Sequence, residues 1–310
     1  MTCYHPCAIE KLKPTHSNYN PKHKIRFLGP VENILDLDVY NTAVSDIEIV
    51  PCGHCIGCRI DKARDWAVRI FCESETTPER SWFLTLTYDD FHMSDISLDK
   101  KDFQKFIKDL RNYLYYKNGS SIRYFGCGEY GDKSGRKHFH IIVFGLGDLD
   151  IKPRTANNGY IYYQSDILNQ IWDKGFVVVA ELNINTASYV ARYTLKKQGL
   201  KKYENLDVQA PFLLMSTRPG IGYDYVLSHQ NSLMLYNFIF CDHAYYPLPR
   251  YFKKVLVDEL GYDFKLIDED KKAKYYNINL TKEIYSHKDL NRILEAEEIK
   301  IESQNYRRKL

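Results

Sequence analysis

Arg136-Lys137-His138-Phe139-His140-Ile141-Ile142-Val143-Phe144-Gly145 places two histidines, one bulky apolar residue apart, at the mouth of an apolar run. Upstream, Gly128-Glu129-Tyr130-Gly131-Asp132-Lys133-Ser134-Gly135 is rich in turn formers, and Ile122-Arg123-Tyr124-Phe125 before it is β-prone. This pattern predicts a hairpin over residues 122–145. Alternate residues of a strand share a face, so His138 and His140 point one way and Phe139 points the other, into packing. Two imidazoles on one rigid face can share a divalent cation, with Glu129 on the partner strand supplying a carboxylate oxygen. The plain alternative is a half-buried strand carrying two solvated histidines.

A second stretch bears on that choice: Asn185-Thr186-Ala187-Ser188-Tyr189-Val190-Ala191-Arg192-Tyr193-Thr194-Leu195-Lys196-Lys197. Its pattern predicts a helix on which Tyr189 and Tyr193, four apart, are neighbours on one face. Lys196 extends that stripe, and Lys197 sits slightly off it. A tyrosine hydroxyl is a poor nucleophile at neutral pH, with an ordinary pKa of about 10. Attack on phosphorus therefore needs a metal to polarise the phosphate and nearby positive charge to favour the phenolate. Glu129, His138 and His140 would serve the first need, and Lys196 or Lys197 the second. In a chain with 26 tyrosines, such a pair also arises from core packing or chance.

Together these pieces resemble a known family. His138-Phe139-His140 is similar to the histidine-hydrophobe-histidine motif of the HUH endonucleases. The residues from Tyr189 to Lys197 resemble their two-tyrosine motif with its trailing lysine, and Trp82-Phe83-Leu84-Thr85-Leu86-Thr87-Tyr88 resembles the apolar strand of their first motif. Cys3-Tyr4-His5-Pro6, Pro51-Cys52-Gly53-His54-Cys55-Ile56-Gly57-Cys58-Arg59 and Ser216-Thr217-Arg218-Pro219-Gly220-Ile221-Gly222 resemble the replication initiators of the gokushovirus branch of the Microviridae, phages with circular single-stranded DNA. The matches run in order from residue 2 to about residue 222; the remainder carries no resemblance.

The resemblance implies site-specific nicking and joining of single-stranded DNA to start rolling-circle replication. Glu129, His138 and His140 would hold Mg2+ or Mn2+ at the scissile phosphate; two imidazoles suit manganese better than magnesium, which prefers oxygen. One tyrosine would form a 5′-phosphotyrosine and leave a free 3′-OH for priming, and the second would cut the regenerated site. The expected partners are single-stranded and origin DNA, with a host helicase and DNA polymerase. No Gly-x4-Gly-Lys-Ser/Thr loop for an intrinsic helicase occurs. Two rivals stand beside this reading: a relaxase or transposase of the same superfamily, and a non-catalytic zinc-containing DNA-binding protein.

Composition sets wider bounds. The 310 residues are 44% hydrophobic and 27% charged, ordinary for a globular protein. No apolar run approaches the roughly 20 residues that span a bilayer, and the N-terminus lacks a secretory pattern, which predicts the bacterial host's cytoplasm and no membrane partner. A net charge of +3 says little, but residues 192–202 hold five basic residues and no acidic one, around the tyrosines.

Eight cysteines in a reducing compartment point to metal binding ahead of disulfides. Cys52-x-x-Cys55-x-x-Cys58 supplies three ligands for a structural zinc, with Gly53 and Gly57 as turn residues. Cys3, His5, Cys7 and His54 are candidates for the fourth. The resemblance includes Cys3 and so selects it. An iron–sulfur cluster is the rival occupant.

The order strand, helix, strand-turn-strand, helix, strand, helix predicts an α+β fold: one antiparallel sheet with the metal ligands on one face and helices on the other. This matches the ferredoxin- or RRM-like fold that the resemblance implies. The expected division is an N-terminal arm over 1–58, irregular apart from a hairpin near 44–50, a nuclease core over 59–200, and a C-terminal extension over 201–310. Helices are predicted over 57–75, with Trp66 covering an edge, over 98–116 with Asp99 as cap, and after Ser165. Thr186 or Ser188 would cap the tyrosine helix and Gly199 would end it. Residues 152–159 read as a loop approaching DNA, and residues 282–310 have helical composition.

Overall fold

The computed structural model describes residues 3–15, 20–22, 24–30, 47–93, 95–131, 134–157, 160–192, 208–241 and 244–262. Two compact units divide the chain, Met1–Asp61 with Phe264–Leu310, and Lys62–Asp263.

In the first unit, β1 (Cys7–Lys11) pairs antiparallel with β2 (Ile25–Pro30) on one side and β3 (Ile47–Val50) on the other. The irregular arm expected here is thus a three-stranded sheet. Its strands are short and its outer strand β2 is largely exposed, so no single strand carries the alternation that marks a half-buried sheet.

The second unit is built on a seven-stranded antiparallel sheet. Its strands are β4 (Trp82–Tyr88), β5 (Arg123–Tyr130), β6 (Lys137–Phe144), β7 (Lys152–Asn157), β8 (Tyr160–Gln164), β9 (Gly175–Glu181) and β10 (Phe212–Met215), in the order β10-β5-β6-β4-β9-β8-β7. β7 occupies the stretch expected to be a loop. It is an edge strand whose register shifts between Pro153 and Thr155, which is how a sheet accommodates a proline. β10 draws residues past 200 into the same sheet by pairing with β5.

Helices cover both faces, where only the face away from the histidines was expected to carry them. On that far face, α2 (Lys100–Asn118) and α3 (Asp166–Trp172) bury Phe103, Phe106, Ile107, Leu110, Leu114, Leu168 and Trp172 against Leu84, Leu86, Phe139, Ile141 and Val143. Asp99 caps α2, its carboxylate accepting from the Lys101 N–H at 2.7 Å, and Ser165 caps α3 through the Leu168 N–H at 3.1 Å, both as predicted. The histidine face also carries Phe83, Phe125, Ile142 and Phe144, too much apolar surface to leave in water. Ile70 of α1 (Ile56–Thr76), Ala187 and Val190 of α4 (Ile184–Arg192) and Ile221 cover it, with Trp66 of α1 packed beside Phe125.

Gly126 and Gly128 alternate with Cys127 and Glu129 on β5 and face α2. A Cβ on Gly128 would lie 2.8 Å from the Phe212 ring and 3.1 Å from that of Phe139. The missing side chains make room for the mutually packed rings of Phe103, Phe139 and Phe212. Beyond β10 the chain adds α5 (Tyr223–Ser228), α6 (Gln230–Tyr236), the hairpin β11 (Phe238–Cys241) and β12 (Ala244–Pro247), and α7 (Arg250–Asp258). Residues 282–310 lie outside the described residues. Among the described residues no helix is long and apolar enough to cross a membrane.

Candidate functional site

The β5–β6 hairpin closes with the Gly131 N–H donating to the Arg136 carbonyl at 2.9 Å, and this fixes the register. Glu129 then stands directly opposite His138, and Cys127 opposite His140. All of these side chains lie on the face shared with α4. One potential ligand atom from each of Glu129, His138 and His140 falls within 4.8 Å of the others. Glu129 Oε1 is 2.8 Å from His138 Nε2 and 3.2 Å from His140 Nε2.

The far nitrogens are held too. His138 Nδ1 lies 3.0 Å from the Arg136 carbonyl, which can only accept, so that nitrogen carries hydrogen and the Nε2 edge is the one left toward Glu129. His140 Nδ1 is hydrogen-bonded to Thr85 Oγ1 at 3.0 Å, which turns its Nε2 to the same point. Phe83 stacks on the His140 ring, centroids 5.4 Å apart. Burial would raise the Glu129 carboxyl, but hydrogen bonds from His138 and His140 outweigh it and hold the group down at about 2. The site therefore presents an anion and two oriented imidazoles, a donor set of one oxygen and two nitrogens that fits a divalent cation.

α4 reaches this face through a capping box. Asn183 Oδ1 accepts from the Thr186 N–H at 2.9 Å, and Thr186 Oγ1 accepts from the Asn183 N–H at 2.9 Å. The helix thus starts at Ile184, ahead of the expected caps, with Asn183 as the cap and Thr186 as its reciprocal partner. Ala187, Val190 and Ala191 form its buried stripe, and Ala191 packs with Ala63 and Ala67 of α1, small residues that let the helices approach closely. Tyr189 lies off that stripe, 44% exposed, with its ring edge-on to His140 at 5.3 Å and to Phe83 at 6.3 Å. Tyr193, Lys196, Lys197 and Gly199 lie outside the described residues.

Thr85, Phe83 and Asn183 were missed as site residues. Phe83 and Thr85 alternate with Leu84 and Leu86 inside an apolar strand, so the signal was a threonine in a buried run. Its pairing opposite His140 depends on the β4–β6 register.

A second constellation lies in the N-terminal unit. The sulfurs of Cys3, Cys52, Cys55 and Cys58 are all within 4.8 Å of one another. Of the alternatives for the fourth position, the Cys7 thiol instead donates to the His5 carbonyl at 3.8 Å, and His54 contributes its backbone N–H to Cys52 Sγ at 3.4 Å.

Residues 81–198 match the family model for the replication-associated protein ORF2. The chain is 36% identical to the replication-associated protein ORF2 of Spiroplasma virus 4, over 75% of this chain and 72% of that protein. It is 32% identical to the replication-associated protein ORF4 of Chlamydia phage 1, over 78% of this chain and 61% of that protein. It is 31% identical to the replication-associated protein VP4 of Bdellovibrio phage phiMH2K, over 77% of this chain and 76% of that protein. No solved structure matches the chain. At this identity, across most of both chains and through the hairpin and helix that build the site, the chain belongs to the family of replication-associated proteins of the Microviridae.

Proposed function

We propose that the chain nicks and rejoins single-stranded DNA at its phage origin through a tyrosine–phosphate ester, and so starts rolling-circle replication. The observation that carries this reading is the convergence of the Tyr189 ring with His140, 5.3 Å between centroids, beside the cluster of Glu129, His138 and His140. A phenol and a metal-binding donor set on one face are the two things that transfer of a phosphodiester to tyrosine requires.

Glu129, His138 and His140 would hold Mg2+ or Mn2+. That ion, when bound, withdraws charge from a phosphate oxygen and orients the phosphate for in-line attack. The residues of the chain do the rest. Thr85 and the Arg136 carbonyl fix the two imidazoles, so the donor set is organised before DNA arrives. Tyr189 loses its Oη proton as the Oη–P bond forms and the P–O3′ bond breaks; the departing 3′ oxygen takes up a proton. The ester conserves the energy of the broken bond, so rejoining by a free 3′-OH needs no nucleoside triphosphate. Tyr193, four residues on, would make the second cut when the origin is regenerated, and Lys196 or Lys197 would favour the phenolate. Single-stranded origin DNA is the substrate on this reading, and the host supplies helicase and polymerase.

The test is a labelled single-stranded origin oligonucleotide incubated with the protein and Mn2+, followed by a denaturing gel. A denaturant-resistant protein–DNA adduct is expected, absent with chelator and absent in the Tyr189→Phe, Tyr193→Phe double variant. An adduct that persists in the double variant would exclude the tyrosines. No adduct with the wild-type protein would favour a binding protein without catalysis.

A further inference from the structure

The four clustered cysteines of the N-terminal unit have no part in that chemistry. Cys52 Sγ and Cys58 Sγ are 3.9 Å apart, as are Cys3 Sγ and Cys55 Sγ. These separations are far beyond the roughly 2.05 Å of a disulfide. They are close to the edge, about 3.8 Å, of a tetrahedron whose corners lie about 2.3 Å from its centre, the length of a zinc–thiolate bond. A cluster of two or four irons would spread its thiolates over different metal atoms with sulfides between them. Four sulfurs all within 4.8 Å of one another leave room for one metal atom.

Backbone N–H groups also point at the sulfurs. Cys52 N–H donates to Cys3 Sγ at 3.2 Å, Tyr4 N–H to Cys55 Sγ at 3.4 Å, and the N–H groups of His54 and Cys55 to Cys52 Sγ at 3.4 and 3.3 Å. Neutral thiols are weak acceptors; donors arranged in this way suit thiolates, the form that binds metal. Gly53, at φ +78°, makes the turn that exposes the N–H groups after Cys52.

We propose that Cys3, Cys52, Cys55 and Cys58 bind a single Zn2+ ion as a tetrathiolate that holds the N-terminal sheet together. β1 and β3 end their pairing at Cys7 opposite Val50, and the chain then diverges to Cys3 on one side and Cys52 on the other. The ion ties those ends across 49 residues of intervening sequence. The described residues of this unit bury only two small apolar clusters, around Tyr4 with Ile56 and around Ala8. A sheet with so little core needs such a staple. On binding, each thiol yields its proton to the buffer.

The full chain, purified from medium containing both zinc and iron, is analysed by elemental mass spectrometry. The expected content is about one zinc per chain and negligible iron. Metal-stripped, reduced protein titrated with Co2+ should develop the intense charge-transfer and d–d absorption of a tetrahedral tetrathiolate, saturating at one equivalent. Cys55→Ser and Cys52→Ser should lose the zinc. Cys7→Ser, Cys241→Ser and His138→Ala should retain it, the last separating this site from the proposed nuclease site. Stripping should speed proteolysis within residues 3–58 about tenfold or more. Wild-type protein without zinc, iron in its place, equal loss of metal in Cys7→Ser, or unchanged proteolysis after stripping would each overturn the proposal. The stripping and Co2+ experiments need no variant to fold.

Discussion

The Tyr189 ring meets the His140 imidazole edge-on, with centroids 5.3 Å apart and planes at 83°. This contact joins a helix residue to a strand residue far away in sequence. It exists because Ala187, Val190 and Ala191 bury the rest of α4 in the space left by the alanines of α1. The chemistry of Tyr189 should therefore be separable from its packing. Tyr189→Phe keeps the ring and removes only the nucleophilic oxygen. Peptide mapping of the DNA adduct should find no linkage at position 189, while the unfolding midpoint stays within the effect of about 0.5 kcal/mol usual for surface changes. An undiminished yield of adduct at the first cut would assign that step to Tyr193.

Thr85 tests the orientation of the histidines. Thr85→Val preserves shape but removes the hydroxyl 3.0 Å from His140 Nδ1. Loss of such a supporting bond weakens metal affinity about 10- to 100-fold. The Mn2+ concentration for half-maximal cleavage should rise accordingly, and Thr85→Ser should restore most of it. If the Mn2+ requirement of Thr85→Val matches that of wild type, Thr85 does not position the ligand.

How much of this was legible beforehand differs by element. The hairpin was, because alternation in His138-Phe139-His140 and a short turn fix both the face and the partner, so Glu129 falls opposite His138. Thr85 was not, since its role follows from a β4–β6 register set by sheet assembly, and a strand does not encode which neighbour it will meet. β7 was read as a loop from its proline, arginine and asparagine; edge position and a register shift make that composition compatible with a strand. The coverage of the histidine face by α1 and α4 also required the assembled sheet, where Phe83, Phe125, Ile142 and Phe144 meet to form one apolar surface.

Gly128 tests the packing behind the site. Gly128→Ala drives a methyl group to 2.8 Å from Phe212 and 3.1 Å from Phe139, rings already in contact with Phe103. Overpacking of this kind costs about 1–3 kcal/mol, and urea denaturation should report it. Adding Phe212→Leu should recover part of the loss, a non-additivity expected only if the two groups compete for one space. Additive effects would place the cause elsewhere.

Glu73 tests how the chain past β10 is held against the histidine face. Its carboxylate is buried; Oε2 accepts the Gly222 N–H at 2.6 Å, and Oε1 pairs with Arg123 Nε. Arg123 in turn donates to the Pro219 carbonyl at 2.7 Å, while Arg69 donates to the Ile221 carbonyl at 3.1 Å. One carboxylate thus anchors residues 219–222 and seats Ile221 beside Phe125 and Val190 in the apolar layer shared with α4. Glu73→Ala leaves a cation and a backbone N–H unsatisfied together. Removing one partner of a buried pair costs about 3–5 kcal/mol, and the partial exposure of Arg123 puts the expected loss near the lower end, about 3 kcal/mol. Glu73→Gln keeps an acceptor for Gly222 but not the charge, so it should fall between wild type and Glu73→Ala in urea denaturation. A loss as large in Glu73→Gln as in Glu73→Ala would mean that the charge pairing with Arg123, not the bond to Gly222, carries the anchor.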